Sequence, residues 1–307
     1  MGTPDFAATV LDALLKNGEN VVGVVSQHDQ PKNRGMKFVK TPVKECAEQY
    51  NIPVFQPETL KDGAIAPLLE ELKPDIIIVV AYGRILPAYV LEYPKHRCVN
   101  VHASLLPRHR GAAPIQWSIM CGDKVTGVTT MYMEKGLDTG DMILKRETPI
   151  LPDDTAETLF DRLAVLGGEI IIDTLKRIKD GTVTAEKQNE EEATYASMLD
   201  KAMGDIDWTD SAENIYNKIR GLYPWPCAYT HIGEKKFKVL SASVCDGKSD
   251  KVPGTVIEVG DVIKVQTGDK LLSVSEVQFD GKRKMNVADY LRGNKDIIKE
   301  SAVLHKF

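Results

Sequence analysis

In the first half of the chain, short apolar runs alternate with segments of helical periodicity. Residues 6–17, 42–50, 63–72, 112–121 and 155–179 repeat apolar positions at intervals of three and four, so each predicts an amphipathic helix. Between them, 20–26, 52–55, 75–80, 98–101 and 126–133 are apolar enough to be strands. Residues 75–80 are apolar without alternation, as expected of a strand buried on both faces of a parallel sheet. Residues 141–150 read as a hairpin partner for 126–133. Alternating strands and helices predict a Rossmann-like α/β fold, with a mostly parallel sheet, over 1–187. Ligands on such sheets bind beyond the carboxyl ends of the strands.

The pattern then changes. Residues 188–209 are polar and acidic without periodicity and read as a linker. Residues 211–221 read as a helix capped by Ser211 or Asp210. Five short strands follow, at 228–232, 235–243, 254–259, 262–267 and 271–279, with Gly and Asp between them. That spacing predicts a small antiparallel barrel of OB-fold type over 210–307. A length of 307 residues accommodates two such domains.

Composition narrows the class without naming it. With 43% hydrophobic and 27% charged residues, the chain is that of an ordinary soluble globular protein. Its five cysteines are scattered, with no Cys-x-x-Cys pair, which argues for reduced thiols in a cytosolic setting and against a disulfide framework or a zinc site. Separately, the chain is expected to be a monomer. The longest apolar stretch, 76–91, is interrupted by Arg84 and Pro87 and is too short to span a bilayer. Phe6 does not fit the myristoylation pattern that Met1-Gly2 would begin. The net charge of −5 is unevenly spread. Residues 208–307 hold 16 Lys and Arg against 13 Asp and Glu, a net of +3, which leaves −8 on the rest. Residues 27–44 carry Lys32, Arg34, Lys37, Lys40 and Lys44 against the single acid Asp29. Such a loop is either a footprint for a polyanion or simply solvated.

The candidate chemistry lies in Asn100-Val-His102 and in Gly136-Leu-Asp138-Thr-Gly-Asp141. An extended Asn-x-His puts an amide donor and an imidazole on one strand face. A carboxylate from a later loop could pair with the imidazole, a set suited to acyl transfer onto an amine. Asp138 lies between glycines and is otherwise a turn-former.

These motifs carry a resemblance. Asn-x-His, then Ser104-Leu-Leu-Pro-Arg-His-Arg-Gly111, then Gly-Leu-Asp-Thr-Gly-Asp with Asp138 36 residues beyond His102, resembles the 10-formyltetrahydrofolate-dependent formyltransferases. Gly2-Thr-Pro-Asp-Phe6, Arg110-Gly-Ala-Ala-Pro-Ile-Gln116, Tyr223-Pro-Trp-Pro226 and Gln278-Phe-Asp-Gly-Lys-Arg-Lys284 are most similar to the branch acting on initiator methionyl-tRNA. The resemblance implies Asn100, His102 and Asp138 as the catalytic trio, with no metal. It further implies a pocket for the folate co-substrate made by Tyr82, Gly83, Ile85, Leu86, Ser104, Leu105, Leu106, Pro107, Gly136 and Leu137. It implies tRNA contacts by Lys32, Arg34, Lys37 and Lys40, with Lys282, Arg283 and Lys284 as either further contacts or a solvated hairpin end. Arg34→Ala is then expected to raise KM for tRNA and reduce its salt dependence.

Three readings compete. Another formyltransferase or a deformylase would share the trio. A nicotinamide enzyme is suggested only by the sheet, and no Gly-x-Gly-x-x-Gly follows any expected strand. A non-catalytic RNA-binding protein would leave the trio unexplained. One departure from the family pattern stands out: Gly2-Thr-Pro-Asp-Phe6 follows Met1 directly, where the family has an apolar opening strand. A sheet lacking that strand is expected to be less stable, and about five to seven upstream codons would restore one of ordinary length.

Overall fold

Most of the periodic segments of the first half become elements of one unit, made of Met1–Pro114, Val125–Pro149 and Phe160–Ala196. The computed structural model describes residues 1–32, 37–294 and 297–306. In chain order the elements begin with α1 (Asp5–Lys16), β1 (Val24–Val25), β2 (Gln30–Lys32), β3 (Lys37–Val39), α2 (Pro42–Gln49) and β4 (Val54–Phe55). There follow α3 (Ala66–Leu72), β5 (Ile77–Val79), α4 (Ala88–Leu91), β6 (Cys98–His102) and β7 (Arg110–Gly111). Helix α5 (Pro114–Met120) precedes the hairpin β8 (Val125–Tyr132) and β9 (Met142–Pro149), and then come α6 (Ala156–Lys179) and β10 (Tyr195–Ala196).

Four of these strands form a sheet in the order β5-β6-β8-β9. β5 and β6 are parallel, in the register Ile77↔Cys98 to Val79↔Asn100. The β8–β9 hairpin adds two antiparallel pairings. β1 and β4 form a separate parallel pair. Met1 and Gly2 lie between the two sheets: the Gly2 N–H donates to Val25 O, and the Val80 N–H donates to Met1 O. The apolar run 20–26 pairs only at Val24 and Val25, because its partner β4 offers just two residues.

Helix packing fixes the sheet. α1 buries Phe6, Ala7, Val10, Leu11 and Leu14, each worth roughly 1.5–3 kcal/mol for the larger side chains. Phe6 meets Phe160 of α6 edge-on at 5.5 Å. Helices α1 and α6 approach closely at Gly168, where a methyl group would come within 2.7 Å of Ala13 Cβ.

The second unit comprises Ile115–Lys124, Ile150–Leu159 and Ser197–Phe307. Its helix α7 (Ala212–Gly221) starts at Ser211, whose hydroxyl accepts the Asn214 N–H. Its strands are β11 (Ala228–Ile232), β12 (Lys235–Cys245), β13 (Val256–Val259), β14 (Ile263–Gln266), β15 (Leu271–Phe279), β16 (Met285–Asn286) and, after α8 (Val287–Gly293), β17 (Leu304–His305). They form one antiparallel sheet in the order β13-β14-β15-β12-β11-β17, with β16 beside β15. The sheet curls at irregular registers between Val239 and Ala242. Its edges meet through the last strand, since His305 and Leu304 pair with β11 while Val303 bridges Thr255. Phe237, Phe279 and Tyr290 stack inside, with ring centroids 4.7 Å and 4.0 Å apart.

The segment read as a linker, 188–209, is not a free spacer. Gln188, Ala196, Leu199, Ile206 and Trp208 are buried, and Ile206 and Trp208 belong to the core of the second unit. Their apolar positions are too sparse to show a period. Among the described residues, no helix is long and apolar enough to cross a membrane.

Candidate active site

Strand alternation sorts β6 into two faces. Cys98, Asn100 and His102 share one, and Val99 and Val101 the other. Val101 packs towards α6, where a methyl group on Gly167 would approach Val101 Cγ1 to 3.2 Å. All five residues of β6 are buried. Cys98 has a thiol pushed up to about 12 by burial, so it remains protonated and is no nucleophile.

Asp138 reaches this face from the β8–β9 connection. Its Oδ1 accepts from Asn100 Nδ2 at 3.4 Å, and its Oδ2 accepts the Gly111 N–H at 2.8 Å. The same Oδ2 lies 3.7 Å from His102 Nδ1. The other ring nitrogen, Nε2, is 3.0 Å from the His109 carbonyl. A carbonyl only accepts, so Nε2 carries a hydrogen, and Nδ1 is the ring nitrogen that faces the carboxylate. Asp138 and His109 adopt left-handed backbone angles, φ 53° and 58°, which non-glycine residues hold only when surrounding contacts enforce them.

Those contacts come from a strap, residues 188–196. Gln188 Nε2 donates to the carbonyls of Asp138 (2.7 Å) and Gly140 (2.8 Å), and Gln188 Oε1 accepts from Arg110 Nε at 2.9 Å. Arg110 is 0% exposed and forks onto Glu190, both bonds 2.8 Å. Glu190 raises the affinity of that guanidinium for its proton, and Arg110 in turn holds the Glu190 carboxyl below its usual range. The stability linked to Glu190 is therefore fully present above the ordinary glutamate value and is lost as pH falls through the lowered one. Glu190→Gln is expected to flatten the fall of melting temperature with pH below about 4.5. An equally steep fall in the variant would contradict this. Thr194 Oγ1 accepts the His109 N–H at 2.8 Å, and β10 pairs with β7.

Gly111 is irreplaceable on two counts. Its φ is 115°, and a Cβ there would sit 2.6 Å from Ala196 O. Gly111→Ala is expected to destabilise the protein by roughly 1–3 kcal/mol and to lower kcat at least tenfold, by moving the N–H that holds Asp138. Thermal melting and steady-state rates check it; an unchanged kcat would show that this bond does not matter.

The residues expected to line a folate pocket fall into two groups. Tyr82, Leu86, Ser104, Leu106 and Pro107 are buried. Tyr82 and Leu86 belong to the core around β5, and Ser104 Oγ donates to Arg108 O at 2.6 Å, fixing the 104–108 turn. Gly83, Ile85, Gly136 and Leu137 are exposed, and Leu105 is half-buried. Among these candidates Ile85 and Leu137 present large apolar side chains to solvent, at 90% and 61% exposed. Arg84, an ordinary surface charge on one reading, donates to Pro57 O and Glu58 O and braces the turn. A cleft of about 490 Å³ is lined by Leu91, Glu92, Pro94, Arg97, Met133, Glu134 and Lys135. None of these seven was expected; the signal available was that 133–135 immediately precede Gly136.

Of the basic candidates, Lys40 pairs with Glu48 at 2.6 Å. Lys44, counted in the same basic stretch, is held by Asp29 and Gln56 and is structural. Arg34 lies outside the described residues, as do the side chains of Lys32 and Lys37. Lys282, Arg283 and Lys284 are exposed, with Lys282 Nζ 5.6 Å from the Tyr290 ring centroid and Lys284 4.0 Å from Glu276. Among the described residues, no group of three or more His, Cys, Asp or Glu side chains is placed to hold a metal.

An α/β unit with an Asn–His–Asp set at its strand ends, followed by a curled antiparallel barrel, has the layout of a formyl transferase. Residues 1–175 match the family model described as formyl transferase, and 198–295 match that of the formyl transferase C-terminal domain. The chain belongs to the formyl transferase family. It is 51% identical to the methionyl-tRNA formyltransferase of Alkaliphilus oremlandii over 96% of its own length and 95% of that protein's. Among solved structures, methionyl-tRNA formyltransferase from Clostridium thermocellum superposes with a TM-score of 0.50 at 28% identity, covering 67% of this chain and 86% of that one. WlaRD, a sugar 3N-formyl transferase solved in the presence of dTDP and 5-N-formyl-THF, shares the fold at TM-score 0.68 and 20% identity, covering 92% and 97%.

Proposed function

We propose that this chain transfers the formyl group of 10-formyltetrahydrofolate to the α-amino group of initiator methionyl-tRNA. The observation that carries the site assignment is the convergence on Asp138, whose two oxygens engage Asn100 Nδ2 and the Gly111 N–H and face His102 Nδ1. Half-identity to a methionyl-tRNA formyltransferase over nearly the whole chain supports the choice of acceptor. Exposed Ile85 and Leu137 fit an aromatic donor: Leu137 immediately precedes Asp138, and Ile85 lies in the turn after β5. The turn after β5 lies at the level of His102, because Val79 pairs with Asn100.

The donor supplies a formyl carbon on nitrogen. The acceptor amine must be neutral to attack it, and an α-amino group has a reference pKa of about 7.7–8. As the new C–N bond forms, Asn100 Nδ2 and His102 Nδ1–H donate to the carbonyl oxygen, where negative charge develops. Asp138, directly or through one water, takes the proton that the attacking nitrogen must lose. The old C–N bond then breaks, and that proton leaves with the folate nitrogen. The trio is complete within one chain, as a monomer requires.

Purified protein with the folate donor is expected to formylate Met-tRNA and to leave an amino-sugar nucleotide unmodified. Preference for the sugar nucleotide would overturn the choice of acceptor. Reversing Lys282, Arg283 and Lys284 to Glu is expected to raise KM for tRNA and to lower the slope of its salt dependence by about one per lost phosphate contact. Donor affinity stays as in the wild type, and an unaltered tRNA KM would remove these residues from the footprint.

A further inference from the structure

The segment 188–196 lies between the two regions that match the family models, which end at 175 and resume at 198. Its contacts are nevertheless with the reaction centre. It touches the His102 side through Thr194, which accepts the His109 N–H and whose carbonyl accepts the Arg110 N–H. It touches the Asp138 side through Gln188, whose amide nitrogen donates to both Asp138 O and Gly140 O. One amide has two hydrogens, and here two carbonyls use both. Its oxygen is occupied as well, by the wholly buried Arg110, which Glu190 anchors at the outer end.

We propose that Gln188 is a positioning residue for Asp138, and that Arg110 and Glu190 hold Gln188 in place; this rests on the site assignment above. The Asp138 backbone sits at φ 53°, a conformation that relaxes readily unless its carbonyls are held. Gln188 holds two of them, 138 and 140, on either side of Thr139. Without it the carboxylate still has the Gly111 N–H but no longer has a fixed backbone behind it. A shift of about 1 Å at a reacting group is enough to cost on the order of 100-fold in rate.

The test is a double-mutant cycle between Gln188→Ala and Asp138→Asn, read by single-turnover formyl transfer from labelled donor to Met-tRNA, with donor binding measured separately by fluorescence titration. Gln188→Ala alone is expected to lower the transfer rate roughly 10- to 100-fold while donor affinity stays within about twofold. In the Asp138→Asn background the same change costs less than about twofold, because the group it positions is already disabled. Equal losses in both backgrounds would mean a merely structural role and would overturn the proposal, as would an undiminished rate in Gln188→Ala. If Gln188→Ala fails to fold, Glu190→Gln keeps the test open, because its carboxylate is 70% exposed and only its hold on Arg110 is weakened. It is expected to slow transfer about two- to fivefold and to do so only when Asp138 is present. Wild-type protein inactive on Met-tRNA would sink the proposed function itself, whereas active wild type with additive variants sinks this inference alone.

Discussion

His102→Ala and Asn100→Ala each lower kcat for formyl transfer by about 10²–10³, the usual consequence of removing one donor from a developing oxyanion. The folate donor still binds, because neither side chain belongs to the exposed apolar surface offered by Ile85 and Leu137. The two losses have different origins. Asn100 pairs in register with Val79 and Met131, and its removal takes away an amide donor together with the bond to Asp138 Oδ1. His102 also anchors the His109 carbonyl through Nε2, so His102→Ala additionally frees the 107–111 turn. His102→Gln keeps a donor towards His109 and is expected to recover stability without recovering rate. Near-wild-type turnover by His102→Ala would remove the central assignment.

The second large effect is on stability. Arg110→Ala is expected to destabilise the first unit by roughly 2–4 kcal/mol, through a cavity and stranded polar groups. The ion pair itself contributes little of this, since the Glu190 side chain is 70% exposed and solvent screens it. The cost comes from the inner end, where Gln188 Oε1 loses its donor and the space of a fully buried guanidinium is left. Arg110→Lys restores a charge but not the fork that meets Nε and both terminal nitrogens at once, so it recovers only part. Chemical denaturation checks this, and a midpoint equal to that of the wild type would show that the buried arginine is dispensable.

How far the sequence discloses this molecule depends on which signals repeat. Asn100 and His102 are legible as one strand face because a strand has a period of two, whereas Asp138, between glycines, reads equally as a turn-former and is singled out by the resemblance. The long helix α6 and strands β11 and β15 match the expected spans closely, since their apolar patterns run for several periods. Several two-residue elements escape: β7, β10, β16 and β17 are too short to show any period, yet β17 closes the second unit's sheet. Gln188 and Glu190 sit in an acidic run with nothing to set them apart, and their role depends on partners 50 and 80 residues away. Lys44 shows the opposite failure. Its charge counts towards a basic loop in sequence, but in space Asp29 neutralises it and Gln56 helps to hold it.

The fate of the formyl carbon tests the account most directly. Wild-type protein given 10-formyltetrahydrofolate labelled in that carbon, together with Met-tRNA, is predicted to place the label on the methionyl amino group, at a rate that His102→Ala reduces at least 100-fold. Label released as free formate instead, or transferred equally fast by the variant, would contradict it.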